Sequence, residues 1–206
     1  MKQKIRKSTL KDAQDFVQIK TKLPIPKNKE NAKHGGFLLG TDINTYKFYI
    51  ENGNCLTAIF NNEIVGFGII LPNQLVRNSD LWEKRKQVNW SINFEDIENS
   101  NVSYVEQLAF LKGHRKLSLI LSYNLVKSVF DSGSDYILTT TVKEPIMNTA
   151  ALPYIKATGG YRIGNIDETY HSVGRINSDI FLIEKDVFYK KIKELSFYDF
   201  LNSNEL

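Results

Sequence analysis

Residues 102–142 read VSYVEQLAFLKGHRKLSLILSYNLVKSVFDSGSDYILTTTV. The run from Val102 to Leu111 is apolar and rich in β-formers, and predicts a strand. Lys112 to Lys116 is a polar loop, Leu117 to Phe130 carries apolar residues at helical spacing, Asp131-Ser132-Gly133 is a turn signal, and Tyr136 to Val142 predicts a second strand. Strand, loop, helix and strand together make a βαβ-like unit, which places the chain in the α/β class. Such a unit aims the first free amides of its helix at whatever lies beyond the strand end, an arrangement that favours phosphate. Arg115 and Lys116 sit at the start of that helix, where two positive charges oppose the helix dipole unless an anion joins them.

Upstream of this unit, a short strand around Ile5 feeds a first helix, with Thr9 three residues before Asp12 as its capping signal and Ala13, Phe16 and Val17 on its apolar face. A loop rich in proline, glycine and charge follows, and a second helix is expected from Asp42 through Tyr46, Tyr49 and Ile50. Cys55 to Phe60 and Ile64 to Leu71 are apolar runs separated by Asn61-Asn62-Glu63, which predicts a tight hairpin, because asparagine tolerates left-handed turn conformations. Gly66 and Gly68 within the second run signal a bulge or a close backbone approach. Residues 72–101 show no strand pattern and carry Trp82, Trp90 and the basic run Lys84-Arg85-Lys86, with a short helix expected near Asp80; this insertion is read as a lid. Downstream, a helix is expected over Asn148 to Ala157, then a strand near Tyr161, a closing strand from Ile180 to Ile183 and a terminal helix.

The chain has 206 residues, 42% of them apolar and 24% charged, which suits one domain. The net charge of +4 comes from 27 basic and 23 acidic side chains that are interspersed, so a phosphorylated ligand accounts for it; nucleic acid is not expected as a partner, since no reader motif is present. Cys55 is the one cysteine, which excludes an intrachain disulfide, and the three histidines are too scattered to form a metal motif with it. The N-terminal residues lack the apolar core of a signal peptide and no stretch reaches the length of a membrane span, so a cytoplasmic location without membrane partners is expected.

Glu106-Gln107-Leu108-Ala109-Phe110-Leu111-Lys112-Gly113-His114-Arg115 resembles the GNAT acetyltransferase superfamily in its spacing from a strand acid to the arginine that opens the pyrophosphate loop. Asn148-Thr149-Ala150-Ala151, Tyr154, Lys156 and Gly159-Gly160-Tyr161 resemble the segment that follows in that family. The specific matches run from Glu106 to Tyr161. The pyrophosphate loop departs from the family pattern, with Ser118 and Ile120 where two small residues are usual, and one extra residue lies between Tyr154 and Tyr161.

The resemblance implies a single-domain α/β GNAT-like fold, a mixed central β-sheet flanked by helices, and transfer of an acetyl or other acyl group from acyl-CoA to an amine of a small-molecule or peptide acceptor, by direct attack while both substrates are bound. It implies Glu106 as general base, a main-chain amide near Phe110 as donor to the thioester oxygen, and Tyr154 as proton donor to the departing thiolate. It further implies that Leu108 and Phe110 line the acyl-CoA, that Arg115, Lys116, Leu117, Ser118 and Leu119 hold its pyrophosphate, and that Asn148 fixes the pantetheine arm.

Each residue also has a plainer reading. Glu106 would be a surface acid on a strand, Tyr154 a packing residue beside Pro153, Asn148 a helix cap, Arg115 and Lys116 a solvated pair, and Cys55 a small buried side chain. His34, beside Gly35-Gly36-Phe37, would line the acceptor site or simply be solvated. A non-catalytic acyl-CoA-binding module of the same fold is the alternative function, and a homodimer is left open by the sequence.

Overall fold

The run from Ile64 to Leu71 is apolar at nearly every position because its strand is covered on both faces. In the computed structural model, which describes residues 2–27, 36–39, 41–170 and 173–206, the described residues form one sheet of eight strands. These are β1 (Gln3–Lys7), β2 (Asn54–Phe60), β3 (Glu63–Leu71), β4 (Asn89–Trp90), β5 (Val102–Phe110), β6 (Tyr136–Glu144), β7 (Tyr161–Tyr170) and β8 (Gly174–Glu184). Their spatial order is β1-β2-β3-β5-β6-β8-β7-β4. β5 and β6 run parallel, joined by the crossover helix; every other neighbouring pair is antiparallel.

Helices α1 (Ala13–Thr21) and α2 (Ile43–Asn52) cover one face. There Phe16 stacks on Phe67 at 4.0 Å between ring centroids, and Tyr46 meets Phe67 edge-on at 5.6 Å. α2 begins where the sequence asks it to: the Asp42 carboxylate accepts the Thr45 amide at 2.8 Å. The amide of Thr9 donates to Asp12 at 2.8 Å at the start of the first helical segment, as the Thr9/Asp12 spacing predicts.

On the opposite face lies α6 (Arg115–Asp131), with Phe188 and Ile192 of α8 (Lys185–Lys193) and Leu201 of α9 (Tyr198–Asn202) packed into the same cluster. Two glycines bring this layer close. A Cβ on Gly66 would meet the Phe110 ring at 2.3 Å, and one on Gly68 would meet Leu125 and Leu121 of α6 at 2.7 and 2.8 Å. The hairpin turn is made by Asn61 and Asn62 at φ 49° and 69°, and Glu63 already belongs to β3.

Residues 72–101 are more structured than the sequence suggested. They form α3 (Asn73–Arg77), α4 (Asp80–Lys84), a 3₁₀ turn, β4 and α5 (Glu95–Glu98). Strand β4 pairs with β7 through Asn89 and Trp90, two residues being too few to leave a periodic signature. Val76, Trp82, Phe94 and Ile97 are buried in the core. The Arg77 and Arg85 guanidiniums lie 3.9 and 4.7 Å from the Trp82 ring centroid, and Trp90 stacks on Phe94 at 4.0 Å.

The helix expected over Asn148 to Ala157 is shorter, α7 (Leu152–Ala157), with Ala151 at its N-cap. Proline at its second position suits the start of a helix, and the preceding residues form turns. The two closing strands are longer than expected. His34 lies outside the described residues. Among the described residues no helix is long and apolar enough to cross a membrane, and no group of His, Cys, Asp and Glu could hold a metal ion.

Candidate active site

The parallel ladder between β5 and β6 runs from Val102↔Tyr136 to Val105↔Thr139 and stops there. Beyond it β5 follows β3 as far as Gly66↔Phe110, while β6 follows β8 as far as Glu144↔Asn177, so the two strands splay apart. The Leu111 amide donates to Val65 of β3 at 2.9 Å. Backbone groups alternate sides along a strand, so those of Leu108 and Phe110 face away from β3, into the splay, with no strand opposite. A cavity of about 630 Å³ fills this region and extends to both faces of the sheet.

β5 carries a bulge beside the cavity. Ile69 pairs with Gln107 and Ile70 with Val105, which leaves Glu106 as the extra residue on β5. Val105 and Leu108 pack with the α6 layer, whereas Gln107 accepts the Tyr46 hydroxyl of α2 at 2.8 Å and donates to the Thr41 hydroxyl at 3.0 Å. Glu106 lines the cavity, half-buried, and its carboxyl makes no hydrogen bond or ion pair among the described residues. Protein atoms crowd it on most sides, although the cleft still admits water. Burial pushes it up from 4.5 to about 7; the Glu168 carboxylate adds to the rise, and the Lys84 ammonium opposes it.

Glu168 of β7 and Lys84 of α4 are themselves joined at 2.6 Å. Tyr170, which lines the cleft, and Tyr49 are pushed up to about 12, first by burial; Glu168 and Glu106 add to the rise at Tyr170, and Glu106 adds to it at Tyr49. Tyr104, whose hydroxyl pairs with that of Thr140 at 2.8 Å, is raised by the same causes. Sequence reading singled out Glu106 but not Glu168 or Tyr170, which approach it only when β7 is assembled, nor Tyr104, two residues before it on β5. Lys84 was visible only as part of a basic run.

The other end of the cavity is the start of α6. Gly113 at φ +92° turns the chain after β5, a conformation glycine adopts freely. Arg115 and Lys116 are exposed on the first turn. The Ser118 amide already donates to the His114 carbonyl at 3.0 Å, so the free amides are those of Arg115, Lys116 and Leu117. The expectation that amides as far as Leu119 serve an anion is thereby shortened: those of Ser118 and Leu119 lie within the helical ladder. Ser118 keeps its hydroxyl at the site, donating to the Arg115 carbonyl at 2.8 Å and meeting the Tyr154 hydroxyl at 2.5 Å. Ile120 points away, buried in the α6-side core, and does not narrow the cradle.

Tyr154 thus stands with Ser118 on the α6 side, and Glu106 on the α1/α2 side of the same cavity. Asn148 is not a helix cap. Its amide donates to the Val142 carbonyl at 2.8 Å, its side-chain nitrogen donates to the Phe37 carbonyl at 3.1 Å, and its buried Oδ1 has no partner among the described residues. Cys55 is a buried thiol donating to the Tyr49 carbonyl at 3.2 Å, and burial pushes it up to about 12.

These features fit a long, phosphorylated thioester. An unpaired strand edge can take an extended amide-bearing arm, the orphaned Asn148 Oδ1 can accept from one of its N–H groups, and the free amides beside Arg115 and Lys116 suit a pyrophosphate.

No protein-family model matches the sequence and no curated protein matches it at a significant level. Solved structures do match in shape. The polyamine N-acetyltransferase of Drosophila melanogaster, which forms N-acetylagmatine, superimposes with a TM-score of 0.59 at 12% identity, over 89% of this chain and 100% of that one. The ribosomal-protein-S18-alanine N-acetyltransferase of Escherichia coli gives 0.57 at 11% identity, over 89% and 94%. A GNAT-family protein from Desulfovibrio desulfuricans gives 0.54 at 10% identity, over 89% and 99%. A mixed sheet splayed at its one parallel pair, a cavity in the splay and these structural neighbours together establish that the chain has the GNAT N-acetyltransferase fold.

Proposed function

We propose that this chain transfers an acetyl or other acyl group from acyl-CoA to the amine of a small-molecule or peptide acceptor, by direct attack within a ternary complex. The observation that supports this most is an unpaired carboxyl, Glu106, held near neutrality in a cleft whose other end is a basic helix N-terminus. Acceptors of both kinds occur among the structural neighbours. Bound acyl-CoA supplies an activated carbonyl carbon and a thiolate leaving group.

Arg115 and Lys116, the amides from Arg115 to Leu117 and the Ser118 hydroxyl hold the pyrophosphate, with Leu117 and Leu119 shaping that turn. Leu108, Phe110 and Asn148 hold the pantetheine arm. Glu106, ionised above about pH 7, takes a proton from the acceptor ammonium so that its lone pair is free. The Phe110 amide, facing the splay, donates to the carbonyl oxygen as charge gathers there. Tyr154 is the proton donor to the thiolate. Residues 72–101 serve as the acceptor-side wall and lid.

The test is CoA release from acetyl-CoA across a panel of polyamines, aromatic amines and peptide N-termini, with acyl-CoA affinity measured separately by calorimetry. Turnover with at least one amine is expected. Glu106→Gln should lower it about 10²–10⁴-fold and leave acyl-CoA affinity unchanged. Tight acyl-CoA binding with no CoA release for any amine would instead assign the chain as a binding module.

A further inference from the structure

Among the described residues, Tyr104 from its own strand, Glu168 and Tyr170 from β7 and Lys84 from α4 line the cavity with Glu106, and Tyr46 and Tyr49 of α2 also feel its charge. The four tyrosines are neutral at physiological pH, since burial raises every one of them. Among the described residues, Lys84 and Glu168 are the ones that carry charge toward Glu106, and they are paired to each other at 2.6 Å, one from α4 and one from β7. The pair is unequal. The Glu168 side chain is 15% exposed and that of Lys84 43%, so water screens the ammonium more than the carboxylate.

We propose that Lys84 and Glu168 are positioning residues that act through Glu106, Glu168 favouring its protonated form and Lys84 its ionised form. This rests on the reading of Glu106 as the general base. An ion pair that served only to tie α4 to β7 would give the same result whichever partner were removed. As an electrostatic regulator it gives opposite results. Glu168→Gln leaves the ammonium unopposed and makes Glu106 a stronger acid, whereas Lys84→Met leaves the carboxylate unopposed and makes it a weaker one. The wall at 72–101 thereby bears directly on the proton at Glu106, because Lys84 is the last residue of α4.

The experiment is a ¹³C-carboxyl NMR titration of Glu106 in the full chain, assigned by its loss in Glu106→Gln, with circular dichroism checking the fold of each variant. Relative to wild type, Glu168→Gln should move the midpoint down and Lys84→Met should move it up, each by about 0.5–1 pH unit. Lys84→Arg, which keeps the charge, should restore it to within a few tenths of a unit. The acid limb of kcat/KM should move in the same two directions. Midpoints that shift together, or that stay where they are in both variants, overturn the proposal. Opposite midpoint shifts that the acid limb does not follow uphold the influence on Glu106 and overturn its assignment as base.

Discussion

Glu106→Gln should change stability in a pH-dependent way that is independent of any substrate. In the folded chain the carboxyl is displaced from 4.5 to about 7, chiefly by burial. A carboxyl whose folded value is raised contributes stability below its unfolded value and loses it as pH rises through the folded one. Wild-type stability should therefore fall across the window from about 4.5 to about 7, at about 1.4 kcal/mol per pH unit, and then level off. The full displacement corresponds to about 3 kcal/mol. Glutamine is nearly isosteric with the protonated acid and has no such titration. Urea unfolding of both proteins at about pH 4.5 and about pH 8.5 isolates the effect, since every other titrating group is shared. The variant should match wild type to within about 1 kcal/mol at the acid end and exceed it by about 3 kcal/mol at the alkaline end, roughly 6–12 °C in Tm for a chain of this size. A stability difference that is the same at both ends refutes the burial of an unpaired carboxyl at this position.

Replacing Arg115 and Lys116 together by alanine should weaken acetyl-CoA binding about 10–100-fold in calorimetry and leave the far-ultraviolet spectrum unchanged, because both side chains are exposed on the first turn of α6; unchanged affinity would place the pyrophosphate elsewhere. Hydrogen exchange over 72–101 should slow when acceptor binds, most at β4, which meets the edge of the sheet through Asn89, Trp90 and the adjoining Ser91 amide, while Trp82, Phe94 and Ile97 keep the rest anchored in the core. Slow exchange that ignores the acceptor makes the segment a fixed wall.

Much of the architecture is legible in local pattern. Asp42 caps α2, Asn61 and Asn62 turn the hairpin, and the alternation from strand to polar loop to helix at 102–130 builds the unit that forms the basic end of the cavity. These signals survive folding because they are local: a cap, a turn and an amphipathic stripe each act within a few residues. β4 escaped notice because two residues carry no period. The helix expected from Asn148 begins at Leu152 instead, since the residues before Pro153 turn and Asn148 is drawn to Val142 and Phe37. That last contact spans 111 positions and has no local signature.

The sequence by itself determined the basic start of α6, because the free amides and the charges of Arg115 and Lys116 are consecutive in the chain. Only the tertiary structure decided what surrounds Glu106. The end of the β5–β6 ladder at Val105, the bulge that turns Glu106 toward α2, and the arrival of Glu168 and Lys84 from elements 62 and 22 positions away are all long-range events. A proton affinity depends on burial and on charges across a gap. Neither is a property of neighbouring residues, so neither can be read along the chain.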